Sequence, residues 1–167
     1  MSKRCYALGA ALLLAVQLPL VAATGSLAEP APARAGEDGI VKVASAHAFA
    51  ETVERLRSDI AAKGIVMFAV LDQRQLGAAA GVDLNPSTLL LFGNAALGTQ
   101  FLTSNPLAGL DWPVRVLVYQ DAGGQVWVSY TDFAWIARRH RIGDRAAAFA
   151  MADQVIASIA ASVSAQH

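Results

Sequence analysis

From Val114 to Thr131 the chain reads VRVLVYQDAGGQVWVSYT, two β-rich runs joined by Asp121-Ala122-Gly123-Gly124. That is a strong hairpin signal: alternating strands around a Gly-rich turn. The side-chain parity of the two arms says what the sheet must do. Val114, Val116 and Val118 share one face, with Arg115, Leu117 and Tyr119 on the other. In the returning arm Val126, Val128 and Tyr130 oppose Trp127 and Ser129. The earlier run Ile65 to Leu71 divides into Val66, Phe68 and Val70 against Met67, Ala69 and Leu71. A sheet covered on one side only should read polar on the other. Here both faces are largely apolar, so the second face is expected to meet another subunit, a ligand or the short connecting helices, and pairing is the preferred reading because the apolar parity recurs on three strands. A homodimer burying about 800 Å² per partner would satisfy it.

The remaining elements fall around this hairpin. Ile40 to Ala44 predicts a strand, after which Ser45 is placed to cap a helix. Phe49, Val53, Leu56 and Ile60 recur at spacings of four, three and four, one helical stripe, with charged residues on the rest of the cylinder. Lys63-Gly64 closes that helix. Gln75 to Gly81 predicts a short helix, Ser87 to Phe92 a strand, and Ala95 to Leu102 a helix stopped by Asn105-Pro106. Asp132 is positioned to cap a short helix through Arg138. Asp144 is positioned to cap a last one striped by Phe149, Ala152, Ile156, Ile159 and Val163. Antiparallel strands with a long helix at each end imply an α+β two-layer sandwich, an antiparallel sheet with helices on one face.

The first residues have the layout of a secretory signal peptide: Lys3 and Arg4, an apolar run from Tyr6 to Ala23, then small residues. Residues 1–28 are therefore expected to be removed on export, leaving no membrane span and a periplasmic or secreted chain. Cys5, the single cysteine, would go with them, so no disulfide, thiolate nucleophile or cysteine metal site is expected. Residues 29–39, EPAPARAGEDG, read as a flexible leader, and residues 40–167 as one domain. The formal charge is zero, and no basic face recommends nucleic acid as a partner.

The stretch Thr52-Val53-Glu54-Arg55-Leu56 begins a recognisable text. It continues through Gly64, Phe68 with Asp72, Leu91-Phe92-Gly93-Asn94, Asn105-Pro106 and Trp112-Pro113-Val114-Arg115-Val116. It ends with Gly124 to Tyr130 and Arg139-His140. In these residues the chain resembles the bacterial family known as domain of unknown function 302. The resemblance implies an arrangement of strand, helix, four strands and helix, similar in architecture to the TATA-binding-protein-like fold, and pairing as homodimers. It implies no reaction. The chain departs from the family pattern at Gln73, where members usually have His, at Ala95, where they have Pro, and at Thr131-Asp132-Phe133, where they have Asn-Asp-Pro.

Motifs of defined chemistry are missing. The stretch Gly93 to Gly98 is too short for a phosphate loop, and no Lys-Ser or Lys-Thr pair follows it. No Gly-x-Ser-x-Gly occurs, and the histidines lack zinc-ligand spacing, so neither a cofactor nor a metal is expected. Gly93 and Asn94 read first as a turn at a strand end that favours positive φ, with Asn94 bonding locally to backbone. Their functional reading is that Asn94 and the amides of the following helix orient a small polar or anionic group. Tyr130 and Asp132 read as a core tyrosine and a helix cap, and His140 as a surface histidine in a solvated basic turn. Two function classes are consistent with this text. One is a non-enzymatic homodimeric module that binds a small molecule or acts only through protein partners, with Asp72, Phe92, Gly93, Asn94, Tyr130, Asp132 and His140 as its ligand-binding candidates. The other is an enzyme built on a carboxylate–histidine pair, Asp72 or Asp132 with His140.

Overall fold

The computed structural model describes residues 35–164. The expected signal peptide, Cys5 and His167 lie outside the described residues. Five strands form one antiparallel sheet: β1 (Ile40–Ala44), β2 (Val66–Asp72), β3 (Ser87–Gly93), β4 (Val114–Gln120) and β5 (Val126–Thr131), in the order β1-β5-β4-β3-β2. Between them run α1 (Phe49–Ala62), α2 (Gln73–Ala79), α3 (Ala95–Ser104), a 3₁₀ turn at Pro106–Leu110, α4 (Phe133–Arg139) and α5 (Ala146–Ala161). This is the α+β sandwich that the hairpin and its bracketing helices predict.

The register explains the two faces. Val70, Leu90, Val116, Tyr130 and Val41 form one rung across all five strands, turned toward the helices. All but Val70, on the edge strand, are buried. Against them pack Val53, Leu56 and Ile60 from α1 and Phe149, Ile156 and Ile159 from α5, all buried in the same core. Each fully buried aliphatic side chain of this kind favours folding by roughly 1.5–3 kcal/mol.

The neighbouring rung, Leu71, Leu89, Leu117, Ser129 and Lys42, lies on the other face. With Leu91, Tyr119 and Trp127 it leaves a half-exposed layer of hydrocarbon, interrupted by Arg115 and by Lys42, whose ammonium lies 5.8 Å from the Tyr119 ring centre.

Three local expectations need correction. Strict alternation fails in β2, where the register shifts between Met67 and Ala69. The bulged residue, Phe68, sits edge-on to Trp112 with ring centres 5.8 Å apart. Ser45 does not cap α1: Ala48 is the N-cap, and the Ser45 hydroxyl pairs with Thr52 Oγ1 at 2.7 Å. Asp144 does not cap α5: Arg145 stands at that position, and Asp144 accepts instead from the Ser104 hydroxyl. Directly before β1 the chain makes a turn. Gly39 donates to the Gly36 carbonyl at 3.0 Å, and Asp38 Oδ1 accepts from the Ile40 amide at 2.9 Å. Gly39 has φ +76°, and Trp135 covers it so closely that a Cβ would lie 2.3 Å from the indole. Only glycine meets both demands.

Candidate functional site

The strand β3 carries LLLFG into the sheet, and its last residues end at an open cavity. Phe92 is buried toward the helices, Gly93 closes the strand, and Asn94 turns the chain into α3. Asn94 has φ −105°, extended backbone rather than the positive φ expected for it, and its Oδ1 accepts from the Leu97 amide at 3.1 Å. Gly93, likewise, is not among the glycines of positive φ. What requires glycine here is space. A Cβ on Gly98 would lie 2.0 Å from Trp112 Nε1, and one on Gly93 would lie 3.1 Å from the same atom. The indole therefore lies directly on the backbone of α3 and the end of β3.

Between these elements and α5 opens a cavity of about 510 Å³. Phe92, Leu97, Phe101, Trp112, Phe133 and Val155 give its wall its character; the polar side chains on it are Lys63, Asn94 and Gln100. Lys63 comes from the end of α1, where its Nζ lies 2.7 Å from each oxygen of Asp59. Three of the sequence candidates, Phe92, Gly93 and Asn94, thus line one cavity. Asp72, Tyr130, Asp132 and His140 do not line it.

Those four have other positions. Asp72 caps α2 through the Gln75 amide at 2.9 Å, and Asp132 caps α4 through the Trp135 amide at 2.6 Å. Gln73 accepts from the Ser87 hydroxyl at 2.7 Å. Tyr130 is a core residue, as expected, and its phenol is pushed up to about 12, first by burial and then by the charges of Asp153 and Asp132. Asp153 is itself raised, by burial and then by Asp132, against the opposing effect of the Phe133 amide.

His140 overturns its expectation most clearly. It is buried, not a solvated surface residue, and its Nε2 lies 2.6 Å from Asp111 Oδ2. Neither Asp72 nor Asp132 is that carboxylate. Asp111 also accepts from Arg115 Nη2 at 2.7 Å, and Arg139 Nη1 lies 3.2 Å from its Oδ2. Asn105 Nδ2 donates to the His140 carbonyl at 2.8 Å, tying the same turn to the end of α3. In the sequence Asp111 stands directly before Trp112-Pro113, with no spacing or motif that ties it to His140. The void beside Asp111 measures about 10 Å³, at most the space of one water. The pair therefore clamps a loop to a helix end and has no room for a substrate. Among the described residues no group of three His, Cys, Asp or Glu is placed to hold a metal ion.

Fold and site together define a helix-backed antiparallel sheet with an apolar cavity under its helices and a partly exposed apolar outer face. The chain belongs to the family described as "Domain of unknown function DUF302", whose model matches residues 41–163. It is 37% identical over 107 residues to "Fluoride-specific ion channel FluC 1" of Brucella suis biovar 1 (strain 1330), a match covering 64% of this chain and 42% of that protein. "Fluoride-specific ion channel FluC 2" of Brucella melitensis biotype 1 (strain ATCC 23456 / CCUG 17765 / NCTC 10094 / 16M) matches at 37% over 107 residues, covering 64% of this chain and 40% of that protein. The chain thus spans about two-fifths of the length of these curated relatives. Among the described residues no helix is long and apolar enough to cross a membrane. A crystal structure of an uncharacterized conserved DUF302 protein from Bacillus stearothermophilus superposes with a TM-score of 0.68 at 18% identity, covering 75% of this chain and 98% of that one. That likeness is one of fold.

Proposed function

We propose that this protein is an exported, non-enzymatic module that holds a small molecule in the cavity beneath Phe92, Gly93 and Asn94 and works as a homodimer. The cavity carries this reading. Its volume of about 510 Å³ falls within the roughly 300–1,000 Å³ of ligand pockets, which are characteristically apolar with a few polar groups at fixed points. The competing enzymatic reading loses its centre, because the buried carboxylate–histidine pair is filled by its own partners and faces no usable space.

The outer rung through Leu89 and Leu117 supports assembly. Half-exposed leucines there adjoin Tyr119 and Trp127, and a second copy would remove that surface from water. The amino-terminal text supports export to the periplasm or beyond. On this reading, the part of this chain that matches the fluoride-channel relatives holds a small organic molecule and not an ion. A bare fluoride demands donors or cations when it leaves water, and this cavity's wall is mostly hydrocarbon.

Native mass spectrometry on the exported protein tests the whole reading. The expected spectrum shows a processed chain, a dimer mass and a retained small molecule. A ligand-free monomer that takes up nothing from a broad panel of small molecules overturns it.

A further inference from the structure

We propose that the cavity selects an uncharged molecule of mainly hydrocarbon surface and discriminates against anions. This rests on the cavity being a binding site and adds the class of its occupant. Only one residue on its wall bears a charge, Lys63. That ammonium is already matched by Asp59, with both carboxylate oxygens at 2.7 Å. The rim is therefore electrically balanced before any ligand arrives. At the N-terminus of α3, the other feature that would draw an anion, Asn94 Oδ1 already occupies the Leu97 amide, which leaves the partial charge of the remaining first-turn amides but no full counter-charge. The other polar side-chain groups on the wall are neutral: Asn94, with its NH₂ group left to donate, Gln100, whose Nε2 donates to the Ala96 carbonyl at 3.3 Å, and the Trp112 indole N–H, which lies against Gly98.

The rest of the wall offers aromatic and aliphatic contact from Phe92, Phe101, Trp112, Phe133, Met151 and Val155. An ionised ligand entering this space would give up its hydration without gaining a counter-charge. A neutral one loses little and gains the hydrophobic term. One or two acceptor oxygens on such a molecule would find the Asn94 amide. The fluoride relatives' ion and simple phosphates are thus the wrong chemistry for this cavity.

A matched pair of fluorescent probes tests it on the full chain. Phenylnaphthylamine is neutral; anilinonaphthalene sulfonate has the same ring framework with an added anionic group. Saturable binding of the neutral probe, one per subunit and about tenfold tighter than the sulfonate, is the expected result. Lys63→Met should leave the neutral probe's affinity within about twofold, since that ammonium is committed to Asp59. Val155→Trp, which fills the cavity, should abolish binding. Sulfonate binding as tight as the neutral probe's, lost in Lys63→Met, would overturn the selectivity while leaving a ligand-binding cavity in place. Neutral-probe binding undiminished in a folded Val155→Trp protein would place the probe elsewhere and overturn the proposal. No saturable binding of either probe would remove the binding site itself.

Discussion

His140 Nε2 and Asp111 Oδ2 stand 2.6 Å apart across twenty-nine residues of chain, with both side chains buried. The contact joins the bend before β4 to the C-terminal end of α4. Arg115 and Arg139 approach the same carboxylate from its outer side, each about half exposed. One carboxylate therefore holds three partners from separate positions, and the unequal burial of those partners predicts unequal costs.

Removing Asp111 leaves a buried imidazole without its partner and two guanidiniums facing each other. Asp111→Ala is expected to lower the free energy of unfolding by about 3 kcal/mol, the scale for breaking a buried charged hydrogen-bond pair. Arg115→Ala, which removes a half-exposed partner, is expected to cost less than about 1 kcal/mol. Urea unfolding of both variants checks the ordering. Equal costs would mean that Asp111 and His140 contribute no more than a surface pair.

The close approach of Trp112 to Gly98 predicts a second effect. A Cβ at position 98 would lie 2.0 Å from Nε1 and 2.1 Å from Cε2 of the indole. Both belong to a rigid ring, so the ring or the helix must move. Gly98→Ala is expected to destabilise by about 1–3 kcal/mol, the cost of overpacking, despite alanine's higher helix propensity. Tryptophan emission should shift as the indole is displaced from the cavity wall. A variant at least as stable as the parent, with unchanged emission, contradicts the packing.

How far these features were legible follows from the range of the interactions that create them. The stripe Phe49, Val53, Leu56 and Ile60 and the hairpin around Asp121 are local, so periodicity and turn residues reveal them. In the hairpin, Asp121 Oδ1 accepts from the amides of Gly123 and Gln125 at 2.9 Å, and Gly124 has φ +85°. The two apolar faces of β4 and β5 were equally legible, because a strand's period is two. In β2 one bulged residue at Phe68 breaks that period, and nothing in IVMFAVL marks where. The cavity was half visible. Phe92-Gly93-Asn94 marked the right strand end, but the reason for its glycine is an indole brought from Trp112. The partner of His140 was invisible for the same reason: spacing along the chain offers no ground to prefer Asp111 over Asp132 or Asp72.

Tyr130 predicts an alkaline limit to stability. Its phenol ionises near 10.0 in the unfolded chain and is pushed up to about 12 in the folded one. Below the first value both states are protonated, and the tyrosine's contribution is fully present. As pH rises toward the second, the unfolded state loses its proton first, and the contribution disappears. The loss is on the order of 2–3 kcal/mol over that window. Tyr130→Phe has no proton to lose. Urea unfolding of parent and variant should therefore give stabilities that draw together at neutral pH and separate in the variant's favour above pH 10. Parallel curves across that range would show the phenol to be as easily ionised folded as unfolded.

The outer face supplies the prediction that bears most on function. Leu117 sits at the middle of the rung Leu71, Leu89, Leu117, Ser129 and Lys42, half buried and pointing away from the helices. Leu117→Asp puts a carboxylate among leucines without touching the core that Val116 and Val118 build on the other side. In a free subunit that carboxylate keeps part of its hydration. In a paired sheet it would be buried opposite apolar surface, at several kcal/mol for an unpaired charge. The variant is therefore expected to keep its circular dichroism and thermal unfolding cooperativity while its mass in solution falls from dimer to monomer. A parent that is already monomeric, or a Leu117→Asp variant that stays dimeric, would mean that the sheet's outer face is not where subunits meet.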